Sequence, residues 1–281
     1  MNIYLINLDR RHDRLITMHT RLCDLGLEYS RISAVDGTGD AEIGFSDDQA
    51  DMTKPEYACY LSHIKVYKAM LESDASHCLV LEDDIVMAKD FASLLDDLAL
   101  HSSRNTILRL EVPFQCTNGK PVSLGRRSVK KTGAYQINRL YSPVFSSGAY
   151  VISRDIAERI VQNHSQPKIP IDHILFYKRM SHPLPLVYQV SPPLAVQAAC
   201  VPDLASSPAT KSDLHALRSI RYSKKQSESE LPKSPVWRIL YIGLANIRGN
   251  LRRIWRTITR LITGIIFKTK VLEFDDSAQP K

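Results

Sequence analysis

The most distinctive chemistry in this sequence is a run of three carboxylates, Glu82, Asp83 and Asp84, which directly follows the apolar residues 78–81. Three adjacent carboxylates repel one another unless a cation or solvent screens them, and hard divalent ions such as Mn²⁺ or Mg²⁺ prefer oxygen ligands of this kind. A cation held there would stabilise the charge that develops on a departing diphosphate. The alternative is a solvated turn whose acidic residues cap the next helix.

A second candidate site is the charged segment from Asn7 to Arg14, which lies where the first predicted strand gives way to a helix. Free backbone N–H groups and basic side chains at such a junction suit a phosphate group. The alternative is an ordinary helix start with charged residues on its surface. Asp36 and Gly37 likewise close the second predicted strand and by themselves indicate only a turn.

Two further segments carry residues that are able to move protons. Ser62, His63 and Lys65 lie on a predicted helix, where a single histidine is more often a core or surface residue than a catalytic one. Asp172 precedes His173 and is a candidate general base, or equally the N-cap of a short helix over 174–180.

The elements that must position these residues follow from hydrophobic periodicity. Residues 3–8 and 29–35 are predicted strands, and Leu15, Met18 and Leu22 give one apolar face to the helix between them. We expect Asp9 to cap that helix, and Gly26 and Asp36-Gly37 to end elements. This β-α-β opening predicts an α/β fold with a mostly parallel sheet flanked by helices. The later predicted elements are a helix over 56–71, strands over 78–81, 106–112 and 146–152, hairpins or a flap between the last two, and a helix over 154–163.

Composition sets the broad class of the protein. The 281 residues are 44% hydrophobic and 24% charged, which is typical of an ordinary globular chain with one sizeable core. The five cysteines are odd in number and include no Cys-x-x-Cys pair, so they are predicted to be reduced core residues. The N-terminus does not fit a signal peptide, and no uninterrupted apolar run is long enough to span a bilayer. We therefore expect a cytoplasmic protein.

The net charge of +7 belongs to the C-terminal segment. Nine Lys and Arg residues and no acidic residue lie between Lys233 and Lys270, which leaves 28 basic and 30 acidic residues elsewhere. Apolar residues recur there at helical spacing beside a basic face and two tryptophans, a pattern that favours an amphipathic helix on an anionic membrane surface. A coiled-coil or docking helix is the alternative, and nucleic-acid binding is disfavoured because no fold signature accompanies the basic face. The predicted organisation is a catalytic domain over 1–203, a linker over 204–235, a membrane-associating helix over 236–270 and a tail over 271–281.

Taken together, these motifs resemble glycosyltransferase family 25, the lipooligosaccharide or lipopolysaccharide galactosyltransferase type. The resemblance spans about residues 1–200 and rests on several short motifs in register. They are Ile6 to Arg14, Ala34 to Gly37, Ser62-His63, Leu79 to Asp84, Ser147 to Tyr150, and Asp172. It implies a GT-A-like, Rossmann-like α/β fold, a UDP-sugar donor, a divalent cation (Mn²⁺ or Mg²⁺) and inversion at the anomeric carbon.

Residue roles follow from the same resemblance. Asp84 and Glu82 are the expected metal ligands, with Asp83 directed toward the nucleotide. Asp172 is the expected general base, with Glu111 as its substitute. The residues expected at the nucleotide are Asn7, Asp9, Arg10, Arg14, Asp36, Gly37, Ser62, His63, Lys65 and Asp83.

The resemblance also implies a function. It is the transfer of a hexose, with galactose as the first candidate, to a glycolipid acceptor at the cytoplasmic face of the inner membrane. Two alternatives stay open: another metal-dependent nucleotide enzyme such as a nucleotidyltransferase, and a non-catalytic membrane adaptor that retains the fold. The sequence leaves the oligomeric state undetermined.

Overall fold

The computed structural model describes residues 1–38, 43–45, 52–99, 104–163, 167, 169–177, 185–201, 204 and 267–274. Its strands are β1 Asn2–Asn7, β2 Ser30–Ser33, β3 His77–Glu82, β4 Ile85–Met87, β5 Thr106–Arg109, β6 Val122–Thr132, β7 Tyr135–Leu140, β8 Ala149–Ser153, β9 Leu186–Ser191, β10 Ala195–Gln197 and β11 Phe267–Lys270. Its helices are α1 His12–Asp24, α2 Lys54–Leu71, α3 Phe91–Ala99, α4 Phe114–Thr117 and α5 Arg154–Gln162, with a π-helical turn at His173–Tyr177 and a 3₁₀ turn at Ala198–Cys200.

The main sheet has nine strands in the order β11-β6-β7-β9-β5-β8-β3-β1-β2, and β4 pairs separately with β10. β1 pairs in parallel with both β2 and β3, and β5 pairs in parallel with β9. β8 runs antiparallel between β3 and β5, and the remaining pairs are also antiparallel. The predicted α/β fold with a helix-flanked sheet is confirmed. The sheet is mixed, and the parallel pairing expected from the β-α-β opening holds for its first three strands.

The sheet is covered on both faces, which explains why its central strands are continuously apolar. Alternate residues of β1 enter different cores: Tyr4 and Ile6 join one buried cluster, whereas Leu5 joins the other. The helix residues in these clusters include Ile64 and Ile156 on the first side, and Met18 and Phe91 on the second. Helices α2 and α5 therefore cover one face, and α1 and α3 cover the other.

Local signals set the ends of the first two helices. Helix α1 ends at Asp24, and Gly26 adopts a left-handed conformation (φ +67°), as the sequence predicts. The expected cap by Asp9 is wrong, because the N-cap residue is Arg11 and the Asp9 carboxylate bonds to the second strand instead. Helix α2 begins two residues before its predicted start, at Lys54, with a capping box formed by Thr53 and Glu56.

The segment predicted as hairpins or a flap is a hairpin that extends the sheet. Strands β6 and β7 pair antiparallel, with Gly133 (φ +54°) in the turn between them. β11 adds to the outer edge of β6. The sequence assigned residues 267–270 to the end of a helix, and that part of the prediction is wrong because they form β11.

The predicted linker and most of the predicted amphipathic helix, over residues 205–266, lie outside the described residues. No helix in the described part of the chain is both long enough and apolar enough to cross a bilayer. None of the five cysteines, all of them described, is in a disulfide. Cys23 is exposed, however, rather than in the core as predicted.

Candidate active site at the carboxyl ends of β1, β2 and β3

Parallel pairing brings the ends of the first three strands to one edge of the sheet. Asn7 closes β1 opposite Ser33 of β2, and Ile6 is opposite Glu82 at the end of β3. In open α/β sheets, ligand sites form outside the carboxyl ends of the strands. The two segments that the sequence singled out for their chemistry therefore meet at the edge where a ligand is expected.

A buried hydrogen-bond network joins these two segments. Asn7 is 1% exposed and donates from Nδ2 to Asp83 Oδ2 over 2.8 Å. Arg14 Nη1 donates to Asp83 Oδ1 over 2.8 Å and lies 3.6 Å from Asp84 Oδ2. Arg31 of β2 donates from Nε to Asn7 Oδ1 over 3.0 Å. Because Asn7 and Arg14 take both oxygens of Asp83, this carboxylate links the first loop to the acidic cluster.

Asp84 differs from its neighbour in having an oxygen without a partner. Its side chain is 10% exposed, and its buried Oδ1 has no hydrogen-bond partner among the described residues. Burial raises its pKa to about 7, and the charge of Glu82 adds to this rise, although Arg14 opposes it. A buried carboxylate oxygen without a partner is costly, which makes Asp84 Oδ1 a candidate ligand for a cation.

Glu82 connects the acidic cluster to the core on the α2 side. Its Oε1 accepts a hydrogen bond from the Ser147 hydroxyl over 3.1 Å and lies 3.3 Å from His63 Nε2. His63 is fully buried, and its Nδ1 lies 2.8 Å from the hydroxyl of Tyr150. The structure thus places His63 behind the acidic cluster, where it contacts Glu82.

The two candidate bases, Glu111 and Asp172, both accept hydrogen bonds from Ser146. The Ser146 hydroxyl donates to Glu111 Oε1, and the Ser146 backbone N–H donates to Asp172 Oδ2 over 3.1 Å. Ser146 has a φ of +81°, a conformation that non-glycine residues rarely adopt, and this turn lets one residue address both carboxylates. Glu111 and Asp172 are 2% and 3% exposed, so both carboxyl groups are largely shielded from water.

Gly148 ties Glu111 to the acidic cluster. Its N–H donates to Glu111 Oε2 over 2.9 Å, and its carbonyl accepts from the Glu82 backbone N–H over 2.8 Å. A Cβ at this position would lie 2.5 Å from Ile85 Cδ1, so any larger residue would force the buried Ile85 side chain to shift. Burial raises the pKa of Glu111 to about 7, and the nearby charge of Glu82 also raises it, although Arg109 opposes the shift. Glu111 therefore belongs to the same acidic group as Glu82 and Asp84.

Three predicted residues form a more exposed group at the first loop. Asp9 accepts hydrogen bonds from Arg31 and from the Ser33 hydroxyl, the latter over 2.8 Å. Arg10 pairs with Asp36 over 2.7 Å, and both side chains are more than one third exposed. These residues lie within reach of solvent, whereas Asn7 and Arg14 do not.

The remaining predicted residues hold the loop after β2 against α2. A Cβ on Gly37 would lie 2.5 Å from Pro55 Cα, so this glycine permits close packing of the loop on the helix. The buried Ser62 hydroxyl accepts a hydrogen bond from the Val35 N–H over 2.9 Å. Exposed Lys65 donates to the Ser33 carbonyl over 2.9 Å. Ser62 and Gly37 therefore position the loop that carries Asp36.

Two arginines in this region escaped the sequence analysis. Arg31 links Asp9 to Asn7, and Arg109 donates to the carbonyls of Phe145 and Ser146 and lies over the Phe176 ring. Arg109 is 1% exposed, and burial lowers its pKa. The available signal was a charged residue within each predicted strand. For Arg109 this signal is the stronger one, since a buried charge must have partners.

The fold defines an α/β protein with a cluster of acidic residues at the strand ends. A model of glycosyltransferase family 25 (LPS biosynthesis protein) matches residues 1–175, which is more than half of the chain. The chain belongs to this family.

Its similarity to individual relatives is lower and mostly partial. The chain is 35% identical over 113 residues to a glycosyltransferase 25 family member of Aedes aegypti, covering 34% of this chain and 19% of that protein. It is 27% identical over 196 residues to human procollagen galactosyltransferase 2, covering 65% and 31%. It is 22% identical over 220 residues to the lipooligosaccharide biosynthesis protein lex-1 of Haemophilus influenzae, covering 75% and 69%. The chain thus spans less than a third of the insect and human proteins.

A solved structure with a similar arrangement is a glycosyltransferase involved in glycosylation of the major capsid of PBCV-1. It aligns with a TM-score of 0.39 at 10% identity, over 80% of this chain and all of that one.

Proposed function

We propose that this chain is an inverting glycosyltransferase that moves a hexose from a UDP-sugar to a glycan acceptor of the lipooligosaccharide or lipopolysaccharide type. Galactose is the first candidate hexose. Membership of the family supports transferase activity, and the printed names of the human and Haemophilus relatives support the sugar and the acceptor class. The observation that carries the proposal is the hydrogen-bonded contact between the first loop and the acidic cluster through Asn7, Arg14 and Asp83.

In this proposal the donor diphosphate lies over the edge formed by β1 and β3. Helix α1 begins there without a side-chain cap, and the N–H groups of a helix's first turn suit a phosphate group. Arg10 and Asp36 form an ion pair whose side chains are 40% and 35% exposed, and they would contact the nucleotide. Asn7 and Asp83 act as positioning residues, because their polar atoms already bind protein groups.

The residues present fit a divalent cation. Asp84 has an unpaired, buried oxygen and a pKa raised to about 7, and Glu82 lies beside it as a second oxygen donor. These two residues would hold Mn²⁺ or Mg²⁺, which prefer carboxylate ligands. When bound, the cation neutralises charge on the departing diphosphate.

The protein supplies the base on the acceptor side. In a single displacement, the acceptor oxygen forms a bond to the anomeric carbon, the bond to UDP breaks, and the acceptor proton passes to a carboxylate. Asp172 and Glu111 are the candidates, and Ser146 positions both of them. Glu111 is the first candidate, since its pKa is raised to about 7, a value that suits proton transfer at neutral pH.

The location of the protein is also part of the proposal. The basic amphipathic pattern of the C-terminal segment favours peripheral binding to an anionic membrane surface, at the cytoplasmic face of the inner membrane. Such a surface would bring the site to a lipid-linked acceptor. Nucleic acid is not an expected partner.

The test is a transfer assay with a panel of UDP-sugars, Mn²⁺ and truncated glycolipids as acceptors. The expected result is release of UDP with formation of a glycosidic bond of inverted configuration, detected by chromatography and NMR. Asp84→Asn should abolish transfer, and exposed Asp24→Asn on α1 is the matched control that should retain it. In a parallel reaction that supplies UTP and a sugar 1-phosphate in place of the UDP-sugar, release of pyrophosphate would indicate a nucleotidyltransferase. Absence of donor turnover with every acceptor would indicate an adaptor, and either result contradicts the proposal.

A further inference from the structure

Behind the acidic cluster, a thiol, an imidazole and a carboxylate converge. Cys59 Sγ, a ring nitrogen of His63 and a carboxylate oxygen of Glu82 all lie within 4.8 Å of one another. Cys59 and His63 are four residues apart on α2, so both side chains lie on the same helix face. Glu82 comes from the end of β3, which means that the group joins a helix to the sheet edge.

This donor set differs in chemical character from the one assigned above to a hard cation. Thiolate and imidazole are the ligands that zinc prefers, and three protein ligands with an open fourth position are a common zinc arrangement. Mn²⁺ and Mg²⁺ favour oxygen donors and have little affinity for a thiolate. The two donor sets would therefore select different metals.

Hydroxyl groups next to the proposed ligands already orient two of them, His63 and Glu82. The Tyr150 hydroxyl lies 2.8 Å from His63 Nδ1 and 2.5 Å from the Tyr67 hydroxyl, and the Ser147 hydroxyl donates to Glu82 Oε1. An outer hydrogen bond to the second ring nitrogen is what fixes the tautomer and orientation of a metal-bound histidine. With Nδ1–H donating to Tyr150, His63 Nε2 presents its lone pair toward Glu82 Oε1 at 3.3 Å.

Two lone pairs at that distance require a proton or a cation between them. Without a metal, a proton on Nε2 supplies the contact as a hydrogen bond to Glu82. With a metal, the imidazole proton moves to Nδ1, the Cys59 thiol releases its proton to solvent, and the thiolate, Nε2 and Glu82 become ligands. Binding thus releases one proton and should strengthen as pH rises.

We propose that Cys59, His63 and Glu82 form a second metal site, one that binds zinc or another thiophilic divalent ion. Two of its three ligands, Cys59 and the buried His63, are placed at neither the donor nor the acceptor in the proposed function, so the test of this site does not require transferase activity. It shares Glu82 with the acidic cluster, and Asp84 lies outside it.

Cobalt is the probe, because Co²⁺ replaces zinc and absorbs when a thiolate binds it. We expect titration of metal-free protein with CoCl₂ to give a thiolate-to-cobalt charge-transfer band that zinc displaces. Cys59→Ser should remove the band and lower zinc affinity by at least about tenfold. Mutating a residue that only hydrogen-bonds to a metal ligand typically costs that much affinity, and loss of a ligand itself should cost no less. Cys23→Ser should retain the band; Cys23 is the matched control because it also lies four residues from a histidine, His19, on a helix.

A second measurement uses the unmodified protein and so does not depend on the folding of a variant. Zinc should slow alkylation of Cys59 by iodoacetamide by about tenfold or more, while exposed Cys23 serves as the internal reference in the same mass spectra. A charge-transfer band that persists in Cys59→Ser, or an alkylation rate of Cys59 that zinc does not change, would overturn the proposal. Asp84→Asn should retain the band, so failure of the proposed transferase activity and failure of this site are separable.

Discussion

Replacing Asp84 with asparagine should make the metal-free protein more stable at alkaline pH while removing its function. The substitution keeps the shape of a buried side chain whose Oδ1 has no partner, and it removes the charge. Burial and the neighbouring charge of Glu82 raise the pKa of Asp84 from 3.8 to about 7. The folded protein therefore binds a proton that the unfolded chain gives up between these two values.

The direction and the magnitude of this stability change follow from proton linkage. A carboxyl whose pKa is raised by folding stabilises the fold below the pKa of the unfolded chain, and this stability is lost as pH rises through about 7. A change of roughly three in the pKa corresponds to a change of about 4 kcal/mol at most in the free energy of unfolding, since a pKa change of one corresponds to about 1.4 kcal/mol. Between about pH 5 and about pH 8, Asp84→Asn should gain roughly 2 to 3 kcal/mol relative to the natural protein.

The assay is urea unfolding of both proteins at the two pH values in EDTA. Asp83→Asn is the matched control and should lower the free energy of unfolding, because Asp83 accepts hydrogen bonds from Asn7 and Arg14. Removing one partner of a buried ion pair costs about 3 to 5 kcal/mol, and the proximity of Asp84 to Arg14 favours the lower end. A relative stability of Asp84→Asn that does not change with pH would refute the reasoning, and so would a control that is as stable as the natural protein.

Three further predictions concern the base, the glycine and the first loop. With saturating Mn²⁺, kcat/KM should fall about tenfold per pH unit below about pH 7. Glu111→Gln should abolish this acidic limb of the pH profile and lower the rate by about 10²- to 10⁴-fold. An acidic limb that is lost in Asp172→Asn but kept in Glu111→Gln would make Asp172 the base instead. Gly148→Ala should cost about 1 to 3 kcal/mol in urea unfolding because its Cβ would lie 2.5 Å from Ile85. Gly125→Ala, whose Cβ would be 3.6 Å from Tyr141, should cost less, and equal costs would count against the packing argument. Arg10→Ala should change stability by less than about 0.5 kcal/mol, since its ion pair is exposed, but raise the KM for the donor; an unchanged KM would remove Arg10 from the proposed site.

Much of the first half of the fold was predictable because its signals are local. The α1 stop at Gly26 depends on a residue that tolerates positive φ, and it was predicted. The start of α2 was missed by two residues, although the capping box of Thr53 and Glu56 is also a local signal. The antiparallel position of β8 between β3 and β5 was not predictable, because it depends on which strand edges remain open once the sheet assembles. The same holds for β11, which pairs with a strand more than 130 residues earlier in the chain.

The candidate site shows the same division. The acidic triplet and the charged first loop could be identified from residue type and position after apolar strands. Their relation could not, because the contact of Asn7 with Asp83 spans 76 positions. Nor could the sequence separate the roles of three adjacent acids, of which Asp83 is paired, Asp84 has an unpaired oxygen and Glu82 faces His63.

The sequence alone determined the α/β class, the strand at whose end the three acidic residues lie, the basic C-terminal segment and the family. Each of these follows from periodicity, composition or short motifs that the chain carries in order. Only the tertiary structure decided which charges are buried, which are neutralised and which partners they meet, including the convergence of Cys59, His63 and Glu82. The reason is that pKa, metal preference and strain depend on distances between residues far apart in the chain, and those distances exist only once the sheet has formed.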